Sequence, residues 1–286
     1  MSGMDITRVG VIGAGTIGRG VAQAFSEAAY EVVLIDIAPA QLAGALAQIE
    51  QDLRMQGLLR ADPHPEEPAD VLARITTGTA LDELAPVDFV VENVTEDWGV
   101  KREVYQRIDA ICKPDVIFAV NTSAVPITRV AAVTGRPESI LGLHFMNPVP
   151  LMGMVEVVRG HFTSDATLRT SLELLATLKK TGVVVQDMPG FITNRVLMLT
   201  INEAIFSIQD GVAPAADIDR IFRGCFGHRM GPLETADLIG LDTILNSITV
   251  LYESFRDSKY RPAPLLQKMV DAGLLGCKTG RGFYTY

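Results

Sequence analysis

The chain has 286 residues, 48% apolar and 21% charged, the balance of an ordinary globular protein long enough for two domains and not of a disordered one. Its formal net charge of -9 argues against nucleic acid as the main partner, because phosphate binding needs a basic stripe and none is visible. The opening MSGMDITRVGVIGAG lacks a basic region ahead of a cleavable apolar core, and no apolar run reaches membrane-spanning length, so no membrane partner and a cytoplasmic location are expected.

The β-branched run Arg8–Ile12 predicts a buried parallel strand, and the residues after it open a helical pattern over 16–29. The turn between them is Gly13-Ala14-Gly15-Thr16-Ile17-Gly18. Gly13 permits the tight turn, Gly15 lets a pyrophosphate approach the backbone beside Thr16 and Ile17 at the helix N-terminus, and Gly18 lets the helix pack on the strand. A second strand, Glu31–Ile35, ends at Asp36, eighteen residues beyond Gly18. A carboxylate there can accept both ribose hydroxyls of an adenosine and repels a 2′-phosphate. No Arg follows at once to compensate, so the expected cofactor is NAD and not NADP.

Residues 41–75 form a long helical stretch, a proline-rich break at 62–68 and another helical turn, which together read as a helical hairpin inserted after the second strand. Strands at Phe89–Glu92 and 116–120 flank a helical pattern over 101–112. Beyond their ends lie Glu96 and Asn121-Thr122-Ser123, on the side where ligands of doubly wound sheets bind. Ser123 suits a hydrogen bond to a substrate oxygen, and equally an N-cap for a helix starting near Pro126.

Further strands are expected at 140–144, 154–158 and 182–186. Within the first two, the apolar run GLHFMNPVPLMGMVEVV carries His144 and Glu156, twelve residues apart. They are either satisfied polar groups at strand ends or a base and its orienting carboxylate. After Asp187 the pattern turns helical, over 191–210, 215–224, 231–256 and 263–273. The fold expected is α/β: a Rossmann-type doubly wound sheet with the inserted hairpin over 1–187, then an all-helical domain over 188–286. Cys112, Cys225 and Cys277 are too far apart for a disulfide framework or a metal site, and no metal is expected.

Seven segments now carry a resemblance in order: VIGAGTIGRGVAQAF, NTSAVPIT, GLHFMNPVP, VEVVRG, PGFITNR, MGPLETADLIGLD and KTGRGFYTY. Over essentially its whole length the chain resembles the 3-hydroxyacyl-CoA dehydrogenase family, in particular its short two-domain 3-hydroxybutyryl-CoA dehydrogenases. The resemblance implies that His144 is the catalytic histidine, Glu156 its partner, and Ser123 and Asn194 the residues at the substrate oxygen. It implies Asp36 at the adenosine ribose, with Glu96 and Lys101 toward the nicotinamide, the side on which Asn121 is expected from its place at a strand end. Oxidising a secondary alcohol sends a hydride to the cofactor and a proton to a base, a role an imidazole fits at neutral pH. Glu156 would accept the other ring N–H and favour the imidazolium. Asn194 comes from the second domain, so closure of the cleft would complete the site. His64, His161 and His228 lack a suggestively placed carboxylate and read as surface or loop residues.

Departures from the family fall on the substrate side. Met146 stands where a second Phe is usual, Gly153 stands where relatives commonly carry Lys, and no Lys precedes Lys101. The hairpin, which in the family lies over the CoA nucleotide, keeps Arg54 and Arg60 but balances them with acids. An acidic hairpin is a poor receptor for CoA phosphates. The thioester is therefore expected on CoA or on an acyl carrier protein, as in similar dehydrogenases that oxidise a hydroxymalonyl unit for polyketide extender units. A catalytically inactive NAD-binding structural or sensor protein is disfavoured because all four site residues are present, and free hydroxy acids such as gulonate or carnitine because those relatives read HPFNP. Residues 191–208 and 233–251 carry more apolar side chains than one face needs, so either a homodimer through the helical domain, as in the family, or packing back on the first domain absorbs the surplus.

Overall fold

The computed structural model describes residues 6–59, 66–123 and 125–286. Arg60, His64 and most of the proline-rich break lie outside the described residues. The chain forms two compact units, Met1–Asp187 and Met188–Tyr286.

The first unit runs β1 (Arg8–Ile12), α1 (Thr16–Glu27), β2 (Glu31–Ile35), α2 (Pro39–Leu59), α3 (Pro68–Ala73), β3 (Ile75–Gly78), β4 (Phe89–Glu92), α4 (Trp98–Ile111), β5 (Ile117–Val120), α5 (Ile127–Ala131), β6 (Ile140–Phe145), β7 (Met154–Arg159), α6 (Asp165–Thr177) and β8 (Thr181–Gln186). The strands make one eight-stranded sheet in the order β3-β2-β1-β4-β5-β6-β7-β8. Its first six strands follow the doubly wound order, with the direction of winding reversing between β1 and β4. Within this sheet every pairing of the described strands is parallel except β6 with β7.

Helices on both faces bury the central strands, which explains their unbroken apolar runs. All of β4, β5 and β6 is buried, and Val9, Val11, Leu34, Phe89 and Leu141 anchor the core between sheet and helices. Register aligns the strand ends: Ile12 lies opposite both Ile35 and Glu92, and Glu92 opposite Val120. The turns after β1, β2, β4 and β5 therefore leave the sheet along one edge, and the glycine turn, Asp36, Glu96 and Ser123 share it. The structure adds two elements to those expected from sequence, the edge strand β3 and the helix α6.

The second unit contains α7 (Thr193–Gln209), α8 (Ala215–Phe226), α9 (Pro232–Ile239), α10 (Leu241–Phe255) and α11 (Pro264–Asp271). The single helix expected over 231–256 is broken at Gly240, whose φ of +103° no helix accommodates. Ile201, Ile205, Leu233, Ile244, Ile248 and Leu266 form its core. Two wholly buried carboxylates organise it. Asp219 accepts the Leu233 and Glu234 amides at the start of α9 and the Tyr284 hydroxyl. Asp237 accepts the Phe283 and Tyr284 amides and so ties the C-terminal segment to α9. No helix among the described residues is long and apolar enough to cross a membrane.

Candidate active site

At the end of β1, Gly13 has a φ of +92°, and a Cβ there would lie 2.6 Å from the Asn93 carbonyl oxygen. A Cβ on Gly18 would lie 1.8 Å from the Gly13 oxygen, so helix and turn touch backbone to backbone. Gly15 differs, for a Cβ there meets nothing within 4 Å. As the N-cap of α1 it has no side chain to offer, so it leaves the first-turn amides around Thr16 and Ile17 uncapped by that residue and suited to an anion. Beyond β2, the Asp36 carboxylate is held by the Ala14 amide at 2.8 Å and the Ala38 amide at 3.0 Å. An open glycine, an uncapped helix end and a fixed carboxylate on one sheet edge fit a dinucleotide.

On β6 and β7, His144 and Glu156 are direct antiparallel partners. His144 Nδ1 lies 2.7 Å from Glu156 Oε2, and Nε2 lies 2.9 Å from Ser123 Oγ. Both ring and carboxylate are buried, at 6% and 8% exposure. An ionised carboxylate only accepts, so Nδ1 carries the proton and donates it; the neutral ring then presents Nε2 as an acceptor, toward which Ser123 donates. Ser123 does not cap α5. The first amides of that helix, on Ile127 and Thr128, donate to the Asp187 carboxylate at 3.0 and 2.7 Å.

The turns after β4 and β5 are tied together. Glu96 accepts from the Ser123 amide at 2.5 Å and from the Thr122 hydroxyl at 2.8 and 2.9 Å. Asn121 donates to Asn93 Oδ1 at 2.8 Å and accepts from the Phe145 amide at 3.2 Å, joining the ends of β4, β5 and β6. Lys101 is wholly buried, its Nζ 2.9 and 3.0 Å from the two Glu92 oxygens and 3.7 Å from Glu96.

Residues 8–188 match the NAD binding domain of 3-hydroxyacyl-CoA dehydrogenase, and residues 190–286 match the C-terminal domain of the same enzyme. The chain belongs to the 3-hydroxyacyl-CoA dehydrogenase family. It is 47% identical over 281 residues to a 3-hydroxybutyryl-CoA dehydrogenase of Bradyrhizobium diazoefficiens, covering 98% of this chain and 96% of that one. It is 44% identical to a probable 3-hydroxybutyryl-CoA dehydrogenase of Bacillus subtilis, covering 99% and 98%. The crystal structure of (S)-3-hydroxybutyryl-CoA dehydrogenase from Ralstonia eutropha superposes with a TM-score of 0.92 at 42% identity, covering 99% of each chain. The protein is thus an NAD-dependent dehydrogenase of this family, with NAD as its cofactor.

In this 3-hydroxyacyl-CoA dehydrogenase family member, Ser123, His144, Glu156, Glu96, Lys101 and Asn121 converge in the first unit. Asn194 stands in the first turn of α7, partly buried, in the second unit. His161 and His228 are exposed. Sequence reasoning places Glu92 and Thr122 at the strand ends on the ligand side but gives neither a role. A lone acid closing the apolar strand Phe-Val-Val-Glu was the available signal, since a strand buried on both faces has no place for an unpaired carboxylate. Burial pushes the Glu92 carboxyl upward, against the pull of Lys101 and of the Val94 amide.

Proposed function

We propose that the protein interconverts the hydroxyl and keto groups of a short 3-hydroxyacyl thioester, with His144 as general base. The observation that carries this reading is the line of hydrogen bonds from Ser123 through His144 to Glu156. Ser123 Oγ would hold the substrate oxygen beside Nε2, and Nε2 would take the hydroxyl proton. Bound NAD supplies the acceptor for the hydride that leaves the same carbon. Glu156 would keep the ring in the Nδ1–H tautomer and stabilise the imidazolium as it forms. In the reverse direction the imidazolium returns the proton to the keto oxygen. Asn194 is proposed as a further hydrogen-bond partner of that oxygen. The relatives' names support the 3-hydroxybutyryl class of substrate.

One observation favours a second carrier for the acyl group, an acyl carrier protein in place of CoA. The two described arginines between residues 39 and 74 are each engaged by a glutamate, Arg54 by Glu50 and Arg74 by Glu66. Each pairing sets an acid beside the cation that a nucleotide phosphate would approach. We also propose that the second unit mediates a homodimer, supported by the exposed apolar side chains of Val212, Ile221, Phe226 and Leu238.

The test follows NADH absorbance with acetoacetyl-CoA, and separately NAD reduction with a carrier-bound hydroxyacyl substrate, each beside a His144→Ala control. Turnover of the CoA thioester that is lost in the variant supports the first reading. Turnover on the carrier protein alone selects the second, and activity that survives in His144→Ala removes His144 as the base.

A further inference from the structure

We infer that Glu92 is a positioning residue for the nicotinamide side of the site: its carboxylate fixes the Lys101 ammonium, and that ammonium holds together the turns that present Glu96 and Ser123. The inference rests on the dehydrogenase reading above.

Glu92 is the last residue of β4, and Lys101 lies nine residues later in the first turn of α4. Both side chains are 0% exposed. Desolvating two ions costs several kcal/mol each, and well-packed apolar residues of similar size often stabilise a core as well or better. A pair kept at that cost needs a geometric role, and the contacts supply one. Besides both Glu92 oxygens, Lys101 Nζ reaches the Asn121 carbonyl at 3.4 Å and the Val94 carbonyl at 3.5 Å. Glu92 Oε1 also accepts the Val94 amide at 2.6 Å. One ammonium therefore gathers the turn after β4 and the turn after β5. It lies 3.7 Å from Glu96, which in turn grips the Thr122 hydroxyl and the Ser123 amide. Ser123 then meets His144. An amine so enclosed acts on the cofactor through the groups it holds, and Glu92 sets where it sits.

The experiment compares wild type, Glu92→Gln and the double variant Glu92→Gln/Lys101→Met by thermal unfolding, turnover, and titration with NADH and with ADP-ribose, which lacks the nicotinamide. Glu92→Gln strands a buried ammonium and is expected to melt lower. The double variant removes both charges and serves as the control for fold. Glu92→Gln, which keeps Lys101 and is assayed well below its melting temperature, carries the decision. At least a threefold weaker Kd for NADH, an unchanged Kd for ADP-ribose and at least a tenfold lower kcat are expected. Equal weakening for both ligands would reveal a general structural defect and overturn the inference, and so would wild-type values throughout. A wild type that binds NADH but turns over no thioester would sink the functional reading alone, because the two titrations still decide the role of Glu92.

Discussion

His144 and Glu156 face each other across the one antiparallel pairing of the described sheet, with Nδ1 and Oε2 2.7 Å apart. Their separation of twelve residues is the consequence of a hairpin: β6 and β7 run antiparallel about the loop 146–153, and directly opposed residues present side chains to the same face. A parallel neighbour would have needed a crossover helix between them.

Glu156→Gln is expected to lower kcat by about two to four orders of magnitude with little loss of fold. The amide preserves the size of the side chain and can still accept from Nδ1–H through its oxygen, but it carries no charge to stabilise the imidazolium. NADH binding, measured by fluorescence, should stay at the wild-type level. Activity within threefold of wild type would deny Glu156 that role.

Gly15 and Gly18 lie three residues apart and should respond oppositely to alanine. At Gly18 the new Cβ has no space, 1.8 Å from a backbone oxygen, so Gly18→Ala is expected to cost at least about 3 kcal/mol and to depress expression and Tm. At Gly15 the new Cβ touches nothing within 4 Å and φ is -66°, so Gly15→Ala should keep Tm within about 2 °C. Its effect should appear as weaker NADH binding, because the methyl group fills the approach to the α1 amides. A Gly15→Ala protein that binds NADH like wild type would place the phosphates elsewhere.

The elements that were legible in the sequence, and those that were not, divide along physical lines. β1, β2, β4 and β5 are read from short apolar runs rich in β-branched residues, because burial on both faces selects such residues. β3 was not located because only Ile75 of its four residues is buried, so Ile-Thr-Thr-Gly carries no strand pattern. In α6 the buried face includes Thr167 and Ser171, and polar residues turned inward blur the apolar stripe that marks a helix. The break at Gly240 was hidden because the apolar spacing of α9 continues into α10, and only the positive φ separates them. His144, Glu156 and the glycine turn stand out as polar or glycine residues in apolar surroundings, whereas the site roles of Ser123 and Asn194 rest on the family resemblance. The buried state of Lys101 does not stand out, since a single lysine in a helix reads the same whether it faces water or another strand end.

The cysteines offer a check on packing. Cys112 is buried, and its thiol is pushed up to about 11 by burial, whereas Cys225 and Cys277 are exposed. Because the thiolate is the reactive species, a chromogenic disulfide reagent at pH 8 should titrate two thiols quickly in the native protein and the third only on adding denaturant. Three fast thiols in the native state would contradict the packing of Cys112 beneath the Leu84 carbonyl.

Asp88 should make stability depend on acid pH. Burial raises its carboxyl, but the Lys113 ammonium at 2.9 Å and the amides of Thr7 and Arg8 outweigh that and hold it below its ordinary value. A carboxyl whose pKa is lower in the folded chain than in the unfolded one adds stability that is complete above the unfolded value, near 4, and is lost as pH falls through the folded value. Replacing it with Asn keeps one acceptor and removes the charge. Asp88→Asn is therefore expected to cost about 1 kcal/mol at pH 7, after allowing for solvent screening of the Lys113 pair. In denaturant titrations the gap between wild type and variant should hold from pH 7 to pH 5 and close as pH drops toward 3. A gap that stays constant over that range would show that the amide contacts alone, and not the ionised carboxylate, anchor the start of β1.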